Sequence, residues 1–241
     1  MDQQTPSHVE NFCQACTIRN RAICADLEDD EVALLNAIGR RRTLEAGEQL
    51  MWEGEDAILV ANVLEGVLKL STRTAEGKEQ ILGLAYPSDF LGRPFGHTTP
   101  YGAEALTDAQ VCVFHRSDFD RFAREHPRLE HKLLERTLTE LDRTRRWMLL
   151  LGRMNAEQKL ASYLLETAER LAPATCNTGQ NEAPRHLTLP LSRQQIADVL
   201  GLTIETVSRQ FTRMRAEGLV DLPSRREVEI LRPEELAQLA I

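Results

Sequence analysis

The chain has no long hydrophobic run. An apolar stretch such as Trp147–Leu151 stops after five residues, far short of the roughly 20 that a membrane helix needs. The opening segment MDQQTPSHVE lacks the positive start and apolar centre of a secretory signal. A cytoplasmic location is therefore expected, where thiols stay reduced and disulfides are disfavoured. Positive charge is also short: 29 Lys and Arg against 37 Asp and Glu leave a net charge of −8. That balance argues against nonselective coating of nucleic acid, although a specific reader needs only a local basic face. No flavin or nicotinamide fingerprint is present. The histidines His8, His97, His115, His126, His131 and His186 are scattered, so no catalytic constellation emerges and an enzyme is not expected. What remains is ordinary for a globular protein: 241 residues, 42% apolar and 27% charged, enough for one large domain or two small ones.

Three of the five cysteines fall within residues 1–30, a stretch with little periodicity that reads as a loop with short helical turns. Residues 31–42 read as a short helix capped by Asp30, with Val32, Leu34, Leu35 and Ile38 on its apolar face. Residues 43–116 hold eight of the thirteen glycines, which punctuate short apolar stretches. Glycine at turns supplies backbone angles that other residues avoid, so the spacing predicts many short antiparallel strands closing into a small barrel or jelly roll. A hairpin is expected around Ala75-Glu76-Gly77. Residues 117–152 read as helical, with Ser117 capping a short helix and Pro127 in the first turn of the next. There Leu129, Leu133, Leu134, Leu138, Leu141, Met148 and Leu151 recur at spacings of three, four and seven. Such a stripe suits pairing with a second copy, or packing on the chain's own barrel. Leu134, Leu138, Leu141, Arg145, Met148 and Leu151 are the candidate dimer contacts. Any of Arg143, Arg145 and Arg146 facing a twin would repel its mate, which predicts a marginal dimer. Residues 155–171 form a further helix, and 172–186 read as a polar surface loop.

The C-terminal segment LTLPLSRQQIADVLGLTIETVSRQFTRMRAEGLVDL has the pattern of a helix-turn-helix. Ser192 and Gln195 make a capping box. Ile196, Val199 and Leu200 form an inner face, and Gly201 stands where a left-handed residue is wanted. Thr203 caps a second helix with Ile204, Val207, Phe211 and Met214 inside. Outside lie Glu205, Thr206, Ser208, Arg209, Thr212 and Arg213. Arginine matches guanine through two hydrogen bonds and glutamate accepts from the cytosine amino group. Glu205 and Arg209, one turn apart, can support each other, or form an ordinary surface ion pair. VDLPSRREVEILR then reads as a hairpin wing, with Arg225 and Arg226 placed for phosphates. Within Leu187–Arg232 seven Arg and six Asp or Glu leave that segment near +1.

Cys13, Cys16 and Cys24 form C-x2-C-x7-C. Cys112 lies in the strand-like run AQVCVFH, and Cys176 is alone in the polar loop. Thiolates suit iron–sulfur clusters and zinc. Zinc sites usually bring a second pair, which is missing here. Disulfides, unligated thiols and an iron–sulfur cluster complete the alternatives.

The order of sensory barrel, long helix and winged helix-turn-helix resembles the CRP/FNR family of bacterial regulators over roughly residues 10–240. Glu-Thr-Val-Ser-Arg at 205–209 matches that family's E-x-x-S-R recognition motif. The cysteine spacing, the flanking NFCQACTIRNRAIC, PSDFLGRPFG and WMLLLGRM resemble FnrL/FnrN-type anaerobic regulators of alphaproteobacteria. The resemblance implies an α+β protein with four parts. These are a cysteine-bearing loop (1–30), a cyclic-nucleotide-binding-like β-roll (31–116), a dimerisation helix (117–152) and a winged helix-turn-helix (153–241). It implies a [4Fe–4S] cluster on Cys13, Cys16, Cys24 and Cys112, with Cys176 incidental. It also implies a homodimer that reads TTGAT-N4-ATCAA-like DNA under low oxygen, and RNA polymerase as partner. Glu205, Ser208 and Arg209 would read bases, with Thr203, Thr206, Thr212, Arg213, Arg225 and Arg226 in support. Gly92-Arg93-Pro94 and Pro100-Tyr101-Gly102 depart from the cyclic-nucleotide pattern, so loss of that site is expected. A regulator answering to another small molecule in the β-roll is the alternative.

Overall fold

The computed structural model describes residues 12, 13, 16–172 and 185–240. The expectations for His8, Cys176 and most of the polar loop lie outside them. A 3-10 turn at Arg19–Arg21 precedes helix α1, Asp29–Ile38. The helix starts two residues before position 31 because Glu28, not Asp30, caps it. The Glu28 N–H donates to Glu31 Oε2 at 2.8 Å, and the Glu28 side chain accepts from the Glu31 backbone in return. Val32 and Leu35 are buried as expected. Leu34 is 57% exposed, and Asn36 takes the inward position instead. Two residues along a helix turn a side chain about 200° from its starting face, so Leu34 cannot share the face of Val32.

Residues 39–42, expected as helix, are strand. Strand β1 spans Gly39–Leu44 and pairs antiparallel with β8, Ala109–His115. Between them come β2 (Gln49–Met51), β3 (Leu59–Glu65), β4 (Leu68–Arg73), β5 (Glu79–Ala85), β6 (Phe90–Leu91) and β7 (Gly102–Ala105). They build two antiparallel sheets, ordered β1-β8-β3-β6 and β2-β7-β4-β5. Leu44, Leu50, Val63, Leu68, Leu91 and Val111 fill the space between, forming the expected β-roll. The hairpin around Gly77 is present, with Arg73 opposite Glu79 and φ +79 at Gly77.

Helix α2, Arg116–Glu125, begins from His115, so Ser117 is inside the first turn rather than at the cap. Its hydroxyl lies 2.8 Å from His115 Nδ1. Helix α3, Pro127–Arg153, runs unbroken, and Pro127 opens it without losing a hydrogen bond. Leu129 is its one fully buried residue among those described, seated on the β-roll side. Leu134 (56% exposed), Leu138 (53%) and Met148 (70%), with Leu141 and Leu151, remain open to solvent. Arg143 does not share that outer face. Its side chain turns to its own chain and pairs with Glu140 at 3.1 Å and Glu166 at 3.8 Å. Arg145 does point outward and pairs with Asp142 at 3.1 Å.

Helix α4, Ala156–Leu171, is capped by Asn155 and Gln158. Then follow β9 (His186–Thr188), α5 (Arg193–Leu200), α6 (Ile204–Ala216), β10 (Val220–Asp221), β11 (Glu227–Ile230) and α7 (Pro233–Leu239). The short strands form one sheet, β10-β11-β9. Leu160, Leu164, Leu187, Ile196, Leu200 and Phe211 make the core beneath it. The Asp89–Arg170 ion pair joins the β-roll to α4. The fold is α+β, and no helix among the described residues is long and apolar enough to cross a membrane.

Candidate functional site

Two regions gather the residues singled out in the sequence. In the first, Cys13, Cys16, Cys24 and Cys112 line a single, largely apolar cavity. All four are free thiols. The N-terminal segment reaches this position through several ties. Asn36 Oδ1 accepts from the Cys13 N–H at 3.3 Å, so α1 holds the segment from below. Arg41 donates to the Phe12 carbonyl at 3.0 Å, and its guanidinium lies 5.2 Å from the centroid of the Phe12 ring. Cys24 is buried with Ile18, Ala22, Ile23 and Leu27 against Phe114, Phe119 and Leu129. Cys112 comes from β8, where its cross-strand neighbours are Arg41 on β1 and Asn62 on β3. Residues directly opposite in a sheet present their side chains on one face, so Arg41, Cys112 and Asn62 form a row along the cavity wall.

Burial pushes the Cys24 thiol up to about 11 and the Cys112 thiol up to about 12, and the neighbouring cysteines add to both. Cys13 is raised for the same reason, with Arg41 and Arg19 opposing. These thiols are neutral at physiological pH, and a metal centre must displace their protons to bind. Among the described residues no three or more His, Cys, Asp or Glu side chains are set to close on one ion. Arg41 and Asn62 were not anticipated. Arg41 is concealed in the run Arg40-Arg41-Arg42, whereas Asn62 announces itself as the lone polar residue within LVANVL.

The cysteine segment is also fastened to α3. Asp26 pairs with Lys132 at 3.0 Å, and Glu28 pairs with Arg128. Leu129, between those two α3 cations in sequence, shares a core with Cys24.

The second region is the α5–α6 pair. Ser192 accepts from the Gln195 N–H at 3.3 Å, and Gly201 has φ +62, the left-handed turn that a side chain would strain. Thr203 caps α6 by accepting from the Thr206 N–H at 3.3 Å. Arg193 lies over the Phe211 ring, 3.2 Å from its centroid, and braces α5 against α6. Ile196, Ala197 and Leu200 are fully buried, with Val199 only partly so. Val207, Phe211 and Met214 are buried, but Ile204, in the first turn of α6, is 37% exposed. Glu205, Ser208, Arg209, Thr212 and Arg213 are exposed and Thr206 partly so. Glu205 and Arg209 form no ion pair, so neither the mutual support nor the ordinary pair expected from their spacing is present. Instead Glu205 is held below the usual carboxylate range by its own backbone N–H and by Thr203. Arg213 is engaged with Glu217 at 2.9 Å, and the Thr212 hydroxyl donates to the Ser208 carbonyl at 3.0 Å. The wing is β10–β11, with Arg225 and Arg226 exposed between the strands.

In the β-roll, the Gly92 N–H donates to the Tyr101 hydroxyl at 3.4 Å and Arg93 is exposed.

Residues 158–239 match the Crp-like helix-turn-helix domain family, and residues 41–126 match the cyclic nucleotide-binding domain family. The chain is 41% identical over 216 residues to the transcriptional activator protein FnrL of Cereibacter sphaeroides, covering 90% of this chain and 86% of that protein. It is 39% identical to the nitrogen fixation regulation protein FixK of Bradyrhizobium diazoefficiens, covering 87% and 86%. Among solved structures, FixK2 from Bradyrhizobium japonicum superposes with a TM-score of 0.74 at 29% identity, covering 85% of this chain and 98% of that one.

Proposed function

The chain belongs to the CRP/FNR family of DNA-binding transcription regulators, and within it we propose an oxygen-responsive regulator whose Cys13, Cys16, Cys24 and Cys112 hold a [4Fe–4S] cluster. The observation that carries this reading is the meeting of all four thiols at one cavity, three from the N-terminal segment and one from β8. The donor set fits the group. Thiolates are soft ligands, and four are what a cubane cluster takes, each on a different iron. A structural zinc site usually brings a second C-x2-C pair or a pair of histidines, and the sequence pairs Cys13 and Cys16 with neither.

When bound, the cluster supplies an oxygen-labile tie between the N-terminal segment and the β-roll. The chain's own residues carry that tie onward. Cys24 and Leu129 share a core, and Asp26–Lys132 and Glu28–Arg128 fasten the segment to the first turns of α3. Ordering the segment thus steadies the helix whose exposed Leu134, Leu138, Leu141, Met148 and Leu151 would pack against a second copy, with Arg145 beside them. Two-fold pairing would set the two α6 helices about 34–36 Å apart, one DNA turn, on a palindromic TTGAT-N4-ATCAA-like site. Glu205, Ser208 and Arg209 would meet base edges. Thr203, Thr206 and the wing arginines Arg225 and Arg226 would meet the backbone, and RNA polymerase would meet the DNA-bound dimer. A bias of a few kcal/mol suffices to shift such an equilibrium.

The test is iron and sulfide analysis with a visible spectrum on anaerobically purified protein, before and after air, alongside titration of the palindromic duplex. About four irons per chain, bleaching in air and DNA affinity lost with them are expected. A protein that takes up no iron on reconstitution, or that binds the duplex equally with and without it, overturns the reading.

A further inference from the structure

Asn62 stands apart from its surroundings. It is 3% exposed, in a strand where Val60, Ala61 and Val63 are fully buried. Its Oδ1 is shut off from solvent with no hydrogen-bond partner among the described residues. Burying an amide unpaired destabilises a fold, and a valine or leucine would fill this strand position without that penalty. The orphaned group is explained if its partner is something the site receives. Register identifies where that partner arrives: Asn62 lies directly across from Cys112, and both line the cavity with the other three cysteines. Opposite residues in a sheet have Cβ atoms about 4.5–5.5 Å apart, within reach of an amide and a sulfur.

We propose that Asn62 is a positioning residue for the cysteine centre, donating a hydrogen bond from its side-chain amide to the Cys112 sulfur or an adjacent cluster sulfide once the centre is loaded. The inference rests on the cluster reading above. An asparagine amide carries two donors beside its one oxygen, and a half-turn about its terminal torsion exchanges the two ends. Sulfur ligands carry negative charge and offer only acceptors, so the –NH2 end is the one that faces them. Outer hydrogen bonds of this kind orient metal ligands and tune cluster potentials. Arg41, on the other side of Cys112, is committed to the Phe12 carbonyl and ring. That leaves Asn62 as the uncommitted polar member of the row.

The experiment compares wild type with Asn62→Leu, which keeps the bulk and removes the amide, and Asn62→Thr, which keeps a donor on a strand-forming residue. Three readouts are taken: melting temperature of the metal-free protein, iron–thiolate stretching frequencies of the anaerobically loaded protein, and the rate of bleaching in air. Asn62→Leu should melt at or above the wild-type temperature when metal-free. Loaded, it should show stretches shifted to higher frequency and bleach about tenfold faster, with Asn62→Thr between the two. Unchanged stretches and an unchanged bleaching rate in loaded Asn62→Leu overturn the role of Asn62 while leaving the cluster reading standing. A metal-free Asn62→Leu that melts well below wild type also overturns it, because the amide then serves the fold itself. Failure of every variant, wild type included, to take up iron and sulfide brings down both readings together.

Discussion

The cysteine cavity and helix α6 solve opposite problems. On α6 the side chains proposed to read DNA stand in solvent, carried by a buried inner face of Val207, Phe211 and Met214. Stability and function occupy different sides of one helix, so the outer side can change without unfolding the domain. Around the cavity the two are fused. Cys24 is part of the core it shares with Ile23, Phe114 and Leu129, and Cys112 is one rung of a sheet. A ligand bound there would act on packing directly, which is what the proposed sensor requires. A DNA reader requires the reverse, a surface that a partner can meet without rearrangement.

That contrast can be broken most forcefully at Cys112. Cys112→Ala removes the one thiol that comes from the β-roll. Anaerobic protein should lose its iron, and its affinity for the palindromic duplex should fall about 10³-fold toward nonspecific binding, while the metal-free melting temperature barely moves. Retained iron and affinity would remove Cys112 from the centre. Next in size is Leu138→Glu, which places a charge in the middle of the exposed α3 stripe. Burying it unpaired against a second copy should weaken dimerisation by about 3 kcal/mol or more, read by sedimentation equilibrium. Leu138 is 53% exposed in the protomer, so an unfolded variant would instead assign it to the protomer's own core.

On the DNA side, Arg209→Ala should cost about 1–3 kcal/mol and relax discrimination at one base pair. Arg225→Ala should weaken all sequences alike and lower the salt slope by about one. Equal losses on matched and mismatched sites for Arg209→Ala would reduce that residue to a phosphate contact. The smallest effect lies away from both regions. Buried Lys69 meets Glu79 at 2.8 Å and Glu104 at 3.1 Å, and it holds the Glu79 carboxyl below the usual carboxylate range. A lowered carboxyl contributes stability above its unfolded value and loses it as pH falls through its folded one. Discounted for solvent screening, Glu79→Gln should flatten the acid limb of stability by under about 1 kcal/mol, leaving iron content and DNA affinity as they were. A change in either would link the β4–β5 hairpin to one of the two sites.

The helix-turn-helix was legible because its signals are local. Ser192 with Gln195, Gly201 and Thr203 are caps and turns whose chemistry acts over three or four residues, and the structure places each where its type requires. The β4–β5 hairpin was legible for the same reason. Local rules failed where a distant partner decided. Residues 39–42 carry only Gly39 against helix, and the three arginines after it become strand because the segment pairs with 111–114. Leu34, expected inside, faces outward because it lies about 200° around the helix from Val32, while Asn36, one turn on from Val32, turns inward, where its Oδ1 accepts from the Cys13 N–H. Arg143 left the outer face of α3 for Glu166, nineteen positions from Trp147, which donates to that same carboxylate.

By itself, then, the sequence determined four thiols at stated positions, a helix-turn-helix with its caps, and a wing with two arginines. Only the tertiary structure decided that the thiols share one cavity, that Arg41 and Asn62 flank Cys112, and that the segment bearing three of them is fastened to α3. The reason is physical. Caps, turns and helical faces are set by neighbours a few residues away, whereas strand register and cavity walls arise from pairings between segments far apart in the chain, which no short-range pattern encodes.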